Sequence, residues 1–404
     1  MTKFCSKIRL PLFHLVKRER MGLIPAMLIR LCAFLLGMLT CGLLASILIE
    51  KLSFNKADMK AFYNCFIDGS FTTNRKLISF IKDLAVLLCI GLALAPAFKM
   101  RFWNTGAEGQ TLVSVLAAIM VNYHLGGSYN ANIALPDWQL ALLMLAAAIL
   151  AGALWAVIPA LFKARWNTNE TLFTLMMNYV ASFLTSFCIV RYLTNSKNSS
   201  GAMKSLSSGR LMQFFTDMQM PSIDKPGEMF KISQNLSDSL TVGVIVLTVT
   251  ILLFIYLKYS KHGYEISVVG ESTRTAQYVG ISVKKVIIRT MLLSGMLCGL
   301  AGWLIAQVDR SVSTESSVNG QGFTAILVAW LARFNPAFMV VTAGIVVFLS
   351  KGASRIATDY QMASSLPNVF IGIVLFFIIG SEFFVNYKLR LNRSGIEEDR
   401  KSVV

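Results

Sequence analysis

The stretch Lys258-Tyr-Ser-Lys-His-Gly-Tyr-Glu-Ile-Ser-Val-Val-Gly-Glu-Ser-Thr-Arg-Thr-Ala-Gln-Tyr-Val-Gly-Ile-Ser-Val-Lys-Lys285 decides how the chain is organised. It is polar and basic, and it separates two long apolar runs, Leu240–Leu257 and Val286–Ala306. Runs of about 20 apolar residues are long enough to cross a hydrocarbon core of ~30 Å. The sequence between Gly270 and Gly280 therefore predicts a short helix that lies outside the membrane, where a partner can bind it.

The composition places most of the remaining chain in lipid. Hydrophobic residues make up 55% of the 404 residues and charged residues only 15%, whereas soluble domains are about a quarter charged. The mean hydropathy is +0.61. Apolar runs of spanning length recur along the sequence, and the alternation typical of outer-membrane barrel strands is absent. We therefore predict an all-α polytopic membrane protein with about ten transmembrane helices, in the range of roughly eight to ten.

The Lys and Arg residues predict the orientation, because basic residues accumulate on the cytoplasmic side of membrane proteins. Residues 1–20 form a basic N-terminus, and residues 388–404 form a basic tail. We expect both ends to be cytoplasmic and residues 21–387 to be the transmembrane domain. Within that domain, 194–238 is expected to be an extracytoplasmic loop and 258–285 a cytoplasmic loop.

Two apolar segments near the C-terminus, Thr324–Leu331 and Ala337–Leu349, are each too short to span comfortably. They are separated by Ala332-Arg-Phe-Asn-Pro336. Interrupted hydrophobic segments often line a transport path, because non-helical backbone is tolerated only where protein or water satisfies it. Gly320 and Gly322 are accordingly expected at a helix start beside a pore.

Several functional classes are disfavoured by the residues. The net charge of +17 is explained by topology and anionic lipid rather than by nucleic acid. The histidines and cysteines show no metal-ligand spacing, and no catalytic constellation lies in the apolar runs. No phosphate-binding G-x-x-x-x-G-K-[ST] loop occurs in the sequence. Energy for any uphill transport must therefore come from another subunit or from an ion gradient. Glu108 and Glu170 lie at helix ends, which disfavours ion coupling; for Glu108, a functional role and a helix-capping role are equally open.

Four stretches carry a resemblance to a known family. Asn104-Thr-Gly-Ala-Glu-Gly-Gln110 resembles the N-I-G-A-E-G-Q motif of ABC-importer permeases in the branched-chain amino acid, ribose and nucleoside group. The stretch Asn169-Glu-Thr-Leu-Phe-Thr-Leu-Met-Met-Asn-Tyr179 resembles their N-E-x-x-x-T-x-M-x-N-Y helix. Gly270–Ile281 is similar to the family's coupling loop, and Gly322-Phe323 to its later G-F-x-x-I motif.

The resemblance implies a permease subunit, not an enzyme, that forms the translocation pathway for a small polar solute in the bacterial plasma (inner) membrane. The nucleoside branch is the most similar. Riboflavin, a simple sugar and a branched-chain amino acid are alternative solutes. An ion-coupled secondary transporter and a non-transporting membrane scaffold are the alternatives of other classes.

The resemblance also implies the partners. These are ABC ATPase subunits that carry ATP and Mg²⁺, a second permease in a homo- or heterodimer, and an extracytoplasmic binding protein or lipoprotein. Membrane lipid surrounds the chain, which itself needs no cofactor and binds neither metal nor nucleic acid. The sequence departs from the family pattern at Glu271, at Thr275 and at Trp330-Leu-Ala-Arg333.

Two sets of residues follow from motif position. The residues expected to couple to the ATPase are Gly270, Glu271, Arg274, Ala276, Tyr278 and Gly280. The residues expected along the substrate pathway are Asn104, Glu108, Gln110, Asn169, Asn178, Asn319 and Phe323.

Overall fold

The structure is a computed structural model that describes residues 13–17, 23–48, 56–126, 135–193, 219–221, 223, 229–232, 234–309, 311–313, 317–363 and 365–391. Within these ranges the chain is mainly helical, and the predicted all-α class is confirmed. The helices are α1 Leu23–Leu48, α2 Lys56–Ser70, α3 Asn74–Lys99, α4 Ala107–Leu125, α5 Asp137–Trp166, α6 Glu170–Cys188, α7 Gln234–Tyr259, α8 Lys261–Glu271, α9 Thr273–Tyr278, α10 Val283–Asp309, α11 Gln321–Leu331, α12 Pro336–Asp359 and α13 Leu366–Asn386.

Four short strands and one π-helical turn complete the described part of the chain. The turn, Ile189–Leu193, continues α6. The strands are β1 Phe13–Lys17, β2 Gln219–Pro221, β3 Met229–Lys231 and β4 Tyr387–Leu391. They form two separate antiparallel pairs, β1 with β4 and β2 with β3.

In the described ranges, eight helices are long and apolar enough to cross a membrane: α1, α3, α5, α7, α10, α12, α13, and α6 with its π-helical turn. The 19-residue α4 has Glu108 and Gln110 in its first turn and is not among them. The apolar α11 has only 11 residues. Eight full spans and these two shorter helices agree with the predicted range, and they confirm a multi-pass membrane protein.

The described residues divide into two compact units, and the first comprises Met1–Cys65 and Ala353–Val404. In this unit α1 packs against α13: Gly37 lies against Val374, and Arg30 Nε donates a 2.8 Å hydrogen bond to Glu382. Strand β1 precedes α1 and pairs with β4, which follows α13. Strands β1 and β4, which flank these two helices, therefore lie side by side. The cytoplasmic location of the two chain ends stays a prediction.

The second unit, Phe66–Gly352, holds α3 to α11 and most of α12. Helices α5 and α10 run antiparallel through its centre and approach closely at glycines. A Cβ at Gly299 would lie 2.6 Å from Ala148 O and from the Cα of Ile149, and Gly152 lies directly against the Gly295 carbonyl. Small residues of this kind let helix backbones pack at short distance in membranes.

We call the end of this unit that carries α8 and α9 the α8–α9 end. The direction of the chain shows which elements lie at this end and which lie at the opposite end. Helix α7 reaches α8 at its C-terminus, and α10 leaves from α9. At the opposite end, where α3 begins, Asn74 Nδ2 donates to Pro221 O at 3.0 Å, and Ile223 N donates to Asn74 Oδ1 at 2.8 Å. The described part of the 194–238 loop therefore lies at the end of the unit opposite to α8 and α9. Its extracytoplasmic location stays a prediction.

One predicted segment is wrong in length. The apolar segment beginning at Ala337 was expected to be too short to span, but α12 has 24 residues and reaches Asp359. It continues past the polar Ser350-Lys351 because Lys351 pairs with Asp83 and donates to Ser79 Oγ at 2.9 Å. The predicted interruption before it is confirmed: Arg333 and Phe334 have φ of 50° and 59°, which no helix accommodates.

Candidate functional site

The first candidate region lies where the chain turns back after α3. Arg101 adopts a left-handed conformation with φ 59°, and Phe102 N bonds back to Ala97 O at 3.0 Å. Residues 102–106 are then non-helical until α4 begins. Backbone N–H and C=O groups buried away from water need partners. The side chains of the Asn104–Gln110 motif and of α6 supply many of them.

Asn104 is fully buried and forms a reciprocal pair with Gln110. Its Nδ2 donates to Gln110 Oε1 at 3.3 Å, and Gln110 Nε2 donates to Asn104 Oδ1 at 3.2 Å. Asn104 also accepts from Gly106 N at 3.1 Å and donates to Ser294 Oγ of α10 at 3.2 Å. The amide therefore fixes both the start of α4 and its position against α10.

Asn178 of α6 binds the same turn from the other side. Its Oδ1 accepts from Gly109 N and its Nδ2 donates to Thr105 O, both at 2.9 Å. One turn earlier, the Thr174 and Thr105 hydroxyls lie 3.0 Å apart. We call the buried polar group formed by Asn104, Gln110, Asn178, Thr105, Thr174 and Ser294 the amide cluster. It joins α4, α6 and α10.

Glu108 connects the amide cluster region to α11. Its carboxylate oxygens accept from Gly320 N at 2.9 Å and from Gly322 N at 2.7 Å. These N–H groups are at the start of α11, where helical donors have no intrahelical partner and the helix dipole is positive. A Cβ at Gly322 would lie 2.5 Å from Glu108 N, so glycine permits the approach. Glu108 thus caps a helix, as one alternative predicted, but the helix is α11 rather than its own.

The remaining predicted pathway residues lie outside the amide cluster. Asn169 is exposed and caps α6 by accepting from Leu172 N at 3.2 Å. Asn319 is exposed with φ 49° just before α11. Phe323 is 45% exposed on α11. The structure therefore brings Asn104, Gln110, Asn178 and Glu108 together and leaves these three on the surface.

An aromatic group beside Phe323 was not assigned to the pathway from the sequence. Trp330 follows Phe323 by seven residues and so lies on the same face of α11; it is 48% exposed. The Trp103 ring lies 5.3 Å from it and is itself 36% exposed. Trp103 also contacts Phe98, which contacts Phe334. The signals available in the sequence were the seven-residue spacing and the departure from the family pattern at Trp330.

The second candidate region is the α8–α9 end. The predicted short helix between Gly270 and Gly280 is confirmed as α9. Ser260 Oγ accepts from Gly263 N at 3.0 Å at the start of α8, and Ser272 Oγ accepts from Thr275 N at 3.2 Å at the start of α9. Serine N-caps of this kind satisfy a free helical donor. Gly280 ends α9 with φ +85°, which glycine adopts without strain.

The six predicted coupling residues fall into two groups. Gly270 and Ala276 are buried, and Gly270 is seated on the Lys99 carbonyl at the end of α3. Tyr278 is 94% exposed. The other three exposed members are Glu271, Arg274 and Gly280. The buried pair holds the two short helices on the unit, and the exposed four form a surface at its end.

An ion pair joins α8 to α10. Arg289 Nη2 donates to Glu265 Oε2 at 2.7 Å, and His262 Nδ1 lies 3.7 Å from the same oxygen. The hydrogen bond from Arg289 holds the pKa of Glu265 below its ordinary value, against the opposing effect of partial burial. The charges of Arg289, His262 and Lys261 act in the same direction as the hydrogen bond. Glu265 therefore stays ionised near neutral pH. No local pattern in the sequence predicts this ion pair.

Comparison with known proteins places residues 77–379 in a match to the family described as "Branched-chain amino acid transport system / permease component". The chain is 30% identical over 321 residues to the guanosine ABC transporter permease protein NupP of Bacillus subtilis, covering 79% of this chain and 85% of that protein. It is also 30% identical over 342 residues to the glucose ABC transporter permease protein TsgB13 of Haloferax volcanii, covering 84% of each.

A third relative is the nucleoside ABC transporter permease protein NupB of Lactococcus lactis subsp. cremoris. The identity is 24% over 338 residues, covering 82% of this chain and 86% of that protein. The matched family range contains both the amide cluster and the α8–α9 end. Among the described residues, no group of three or more His, Cys, Asp or Glu side chains could hold a metal ion.

Proposed function

The chain belongs to the family of branched-chain amino acid transport system permease components, and on that premise we propose that it forms the translocation pathway for a nucleoside. As a permease subunit of an ABC transporter it is a transport protein of the bacterial plasma membrane and not an enzyme. The observation that carries the choice of solute is the similarity to guanosine and nucleoside permeases over about four fifths of the chain.

The α8–α9 end is proposed as the surface that receives the ATPase. Four of its predicted coupling residues are exposed, and Tyr278 is almost completely so. Hydrolysis of ATP with Mg²⁺ takes place on the ATPase, whose closure moves α9. In this arrangement residues 258–285 face the cytoplasm. The loop 194–238 faces outward towards a binding protein or lipoprotein, and a second permease completes the pathway.

The pathway is proposed to pass beside the starts of α4 and α11. The amides of Asn104, Gln110 and Asn178 are occupied by hydrogen bonds within the chain, so their role is to shape this region. Asn169, Asn319 and Phe323 offer exposed surface to a solute. The rings of Phe323, Trp330 and Trp103 supply flat faces, on which nucleobases stack with about 1–3 kcal/mol per base.

A hexose is the second candidate solute. The relative named for glucose is as similar to this chain as the guanosine relative and covers slightly more of it. Aromatic faces also bind the apolar faces of sugar rings, so the exposed rings do not separate the two solutes. Competition between a nucleoside and a hexose for uptake distinguishes the two solutes.

The test is uptake by proteoliposomes that contain the chain together with its ATPase, its permease partner and its binding protein. Radiolabelled guanosine is supplied with ATP inside, and unlabelled nucleosides or glucose are added in excess. We expect ATP-dependent guanosine uptake that other nucleosides reduce and glucose leaves unchanged. Uptake of labelled glucose that guanosine leaves unchanged would replace the nucleoside by a hexose. Absence of ATP-dependent uptake for every solute would contradict transport itself.

A further inference from the structure

We propose that Glu265 and Arg289 are positioning residues that transmit movement of α8 and α9 to α10, and through α10 to the amide cluster. The inference rests on the proposed function, because it concerns how work by the ATPase reaches the transport path. It is carried by a continuous series of contacts from the exposed end of the unit to its interior.

The first step is the way α8 is held. It packs against α7, α3 and α10. Its contacts with α7 and α3 include two glycines that lie directly against backbone: a Cβ at Gly263 would lie 2.5 Å from Leu257 O, and Gly270 lies against the Lys99 carbonyl. At these two contacts α8 cannot move any closer to α7 or α3. In the proposal the two contacts therefore stay in place while α8 tilts.

The contact with α10 is of a different kind. The Glu265 carboxylate and the Arg289 guanidinium meet at 2.7 Å, with side chains 16% and 34% exposed. Charge-assisted hydrogen bonds are strong and directional, and partial burial reduces their screening by salt. They act at the ends of side chains and can pull as well as push. The ion pair therefore keeps α10 attached to α8 during movement in either direction.

The second step runs along α10. Ser294 is five residues beyond Arg289, which is about 7.5 Å along a helix axis. Its hydroxyl accepts from Asn104, which pairs with Gln110 and fixes the start of α4. In the same helical start, Glu108 holds Gly320 and Gly322 of α11. A shift of α10 is thereby passed to the region where α4 and α11 begin.

The experiment measures the number of solute molecules taken up for each ATP hydrolysed, in proteoliposomes holding the complete transporter. Glu265→Gln removes one charge of the pair at nearly constant size, and Arg289→Gln removes the other charge and shortens the side chain. We expect each to lower this ratio about tenfold, which lies within the usual range of coupling between sites. The double variant should lower it no further than either single one, because both act on one link. Arg289→Lys should recover part of the loss.

The matched control is Glu170→Gln. Glu170 pairs with Lys163 at 2.8 Å with similar exposure, 14% and 24%, but joins the end of α5 to α6 and lies off the proposed route. This control should keep the wild-type ratio within about twofold, well below the effect expected for a link between coupled sites. Thermal unfolding and co-purification of the ATPase are measured for every variant. A variant that has lost its structure would show a lower unfolding temperature and less bound ATPase, and can thus be recognised.

Several results would overturn the inference. One is an unchanged uptake-to-hydrolysis ratio in Glu265→Gln and Arg289→Gln, with the ATPase still bound. Another is an equal loss in Glu170→Gln. If the Gln variants fail to assemble, the Arg289→Lys complex decides: a wild-type ratio at reduced stability assigns the pair a structural role only. Failure of wild-type protein to bind an ATPase at all would instead contradict the proposed function.

Discussion

The amide cluster and the α8–α9 end differ in where their polar groups find partners. In the amide cluster, Asn104 and Asn178 are buried and bonded to neighbouring backbone and side chains. At the α8–α9 end, Arg274 and Tyr278 project from the unit. Both regions contain motif residues of the same family. The difference indicates that the first set of motif residues builds the protein's own interrupted helices, whereas the second is free to bind another protein.

The largest effect is expected for a substitution of Glu108, beside the amide cluster. Glu108→Ala removes the acceptor of two backbone N–H groups, those of Gly320 and Gly322. Hydrogen bonds to charged groups contribute about 1.5–3 kcal/mol each, so the stability loss should be about 3–6 kcal/mol. We expect a large fall in the unfolding temperature of the detergent-solubilised protein.

Glu108→Gln sharpens that result, since an amide oxygen can still accept from one of the two groups. It should lose less stability than Glu108→Ala and should impair uptake if the charge itself is required. Glu271→Ala, which removes an exposed carboxylate, is the matched control and should not lower the unfolding temperature. Equal stability of Glu108→Ala and wild type would refute the capping role.

The next effect concerns Asn178→Ala. The change removes the acceptor of Gly109 N and the donor to Thr105 O. Leaving such buried groups unbonded costs about 1–3 kcal/mol for each group. We expect a lower unfolding temperature together with reduced uptake, and Asn169→Ala at the exposed cap of α6 should show a smaller shift. A variant that unfolds as wild type but transports nothing would show that Asn178 contacts solute instead.

A smaller effect on stability, with a large effect on assembly, is expected at the exposed end. Tyr278→Ala should change stability by no more than about 0.5 kcal/mol, as is usual for surface substitutions. Co-purification of the ATPase should nevertheless fall, because an exposed aromatic side chain is a frequent binding hot spot. Full retention of the ATPase would remove Tyr278 from the proposed surface.

The smallest effect is expected for Glu271→Asn, which introduces the residue expected from the family pattern. Glu271 is exposed at the end of α8, where a negative charge opposes the helix dipole. Stability should rise by a few tenths of a kcal/mol, about 0.3–1 at most. Chemical unfolding of the solubilised protein measures the change; a loss of stability would show that Glu271 has a favourable contact.

The sequence predicted the elements well where the signal was local. The glycines around α9 and the Asn-Pro break before α12 were recognisable from single short stretches. The length of α12 was underestimated because the apolar segment of the sequence ends before the charged Lys351. In the structure its charge is neutralised by an ion pair with Asp83 of α3. Helix α2 was missed because its residues are polar on average, yet Phe62 and Phe66, one turn apart, are both buried.

The candidate site was predictable as a set of residues but not as an arrangement. Glu108 meets Gly320 across 212 positions of sequence, and no local pattern encodes that pairing. The same holds for Asn104 with Ser294, which are 190 positions apart. Motif position alone therefore grouped the buried Asn178 with the exposed Phe323, although the first supports backbone and the second offers a surface.

The most direct test of the account is photo-crosslinking from position 278 in the assembled membrane complex. Tyr278 is replaced by a photoreactive phenylalanine derivative, and the product is identified by mass spectrometry. The account predicts an adduct with the ATPase subunit that is lost when the ATPase is omitted. An adduct with the extracytoplasmic binding protein, or with lipid alone while the ATPase is present and bound, would contradict it.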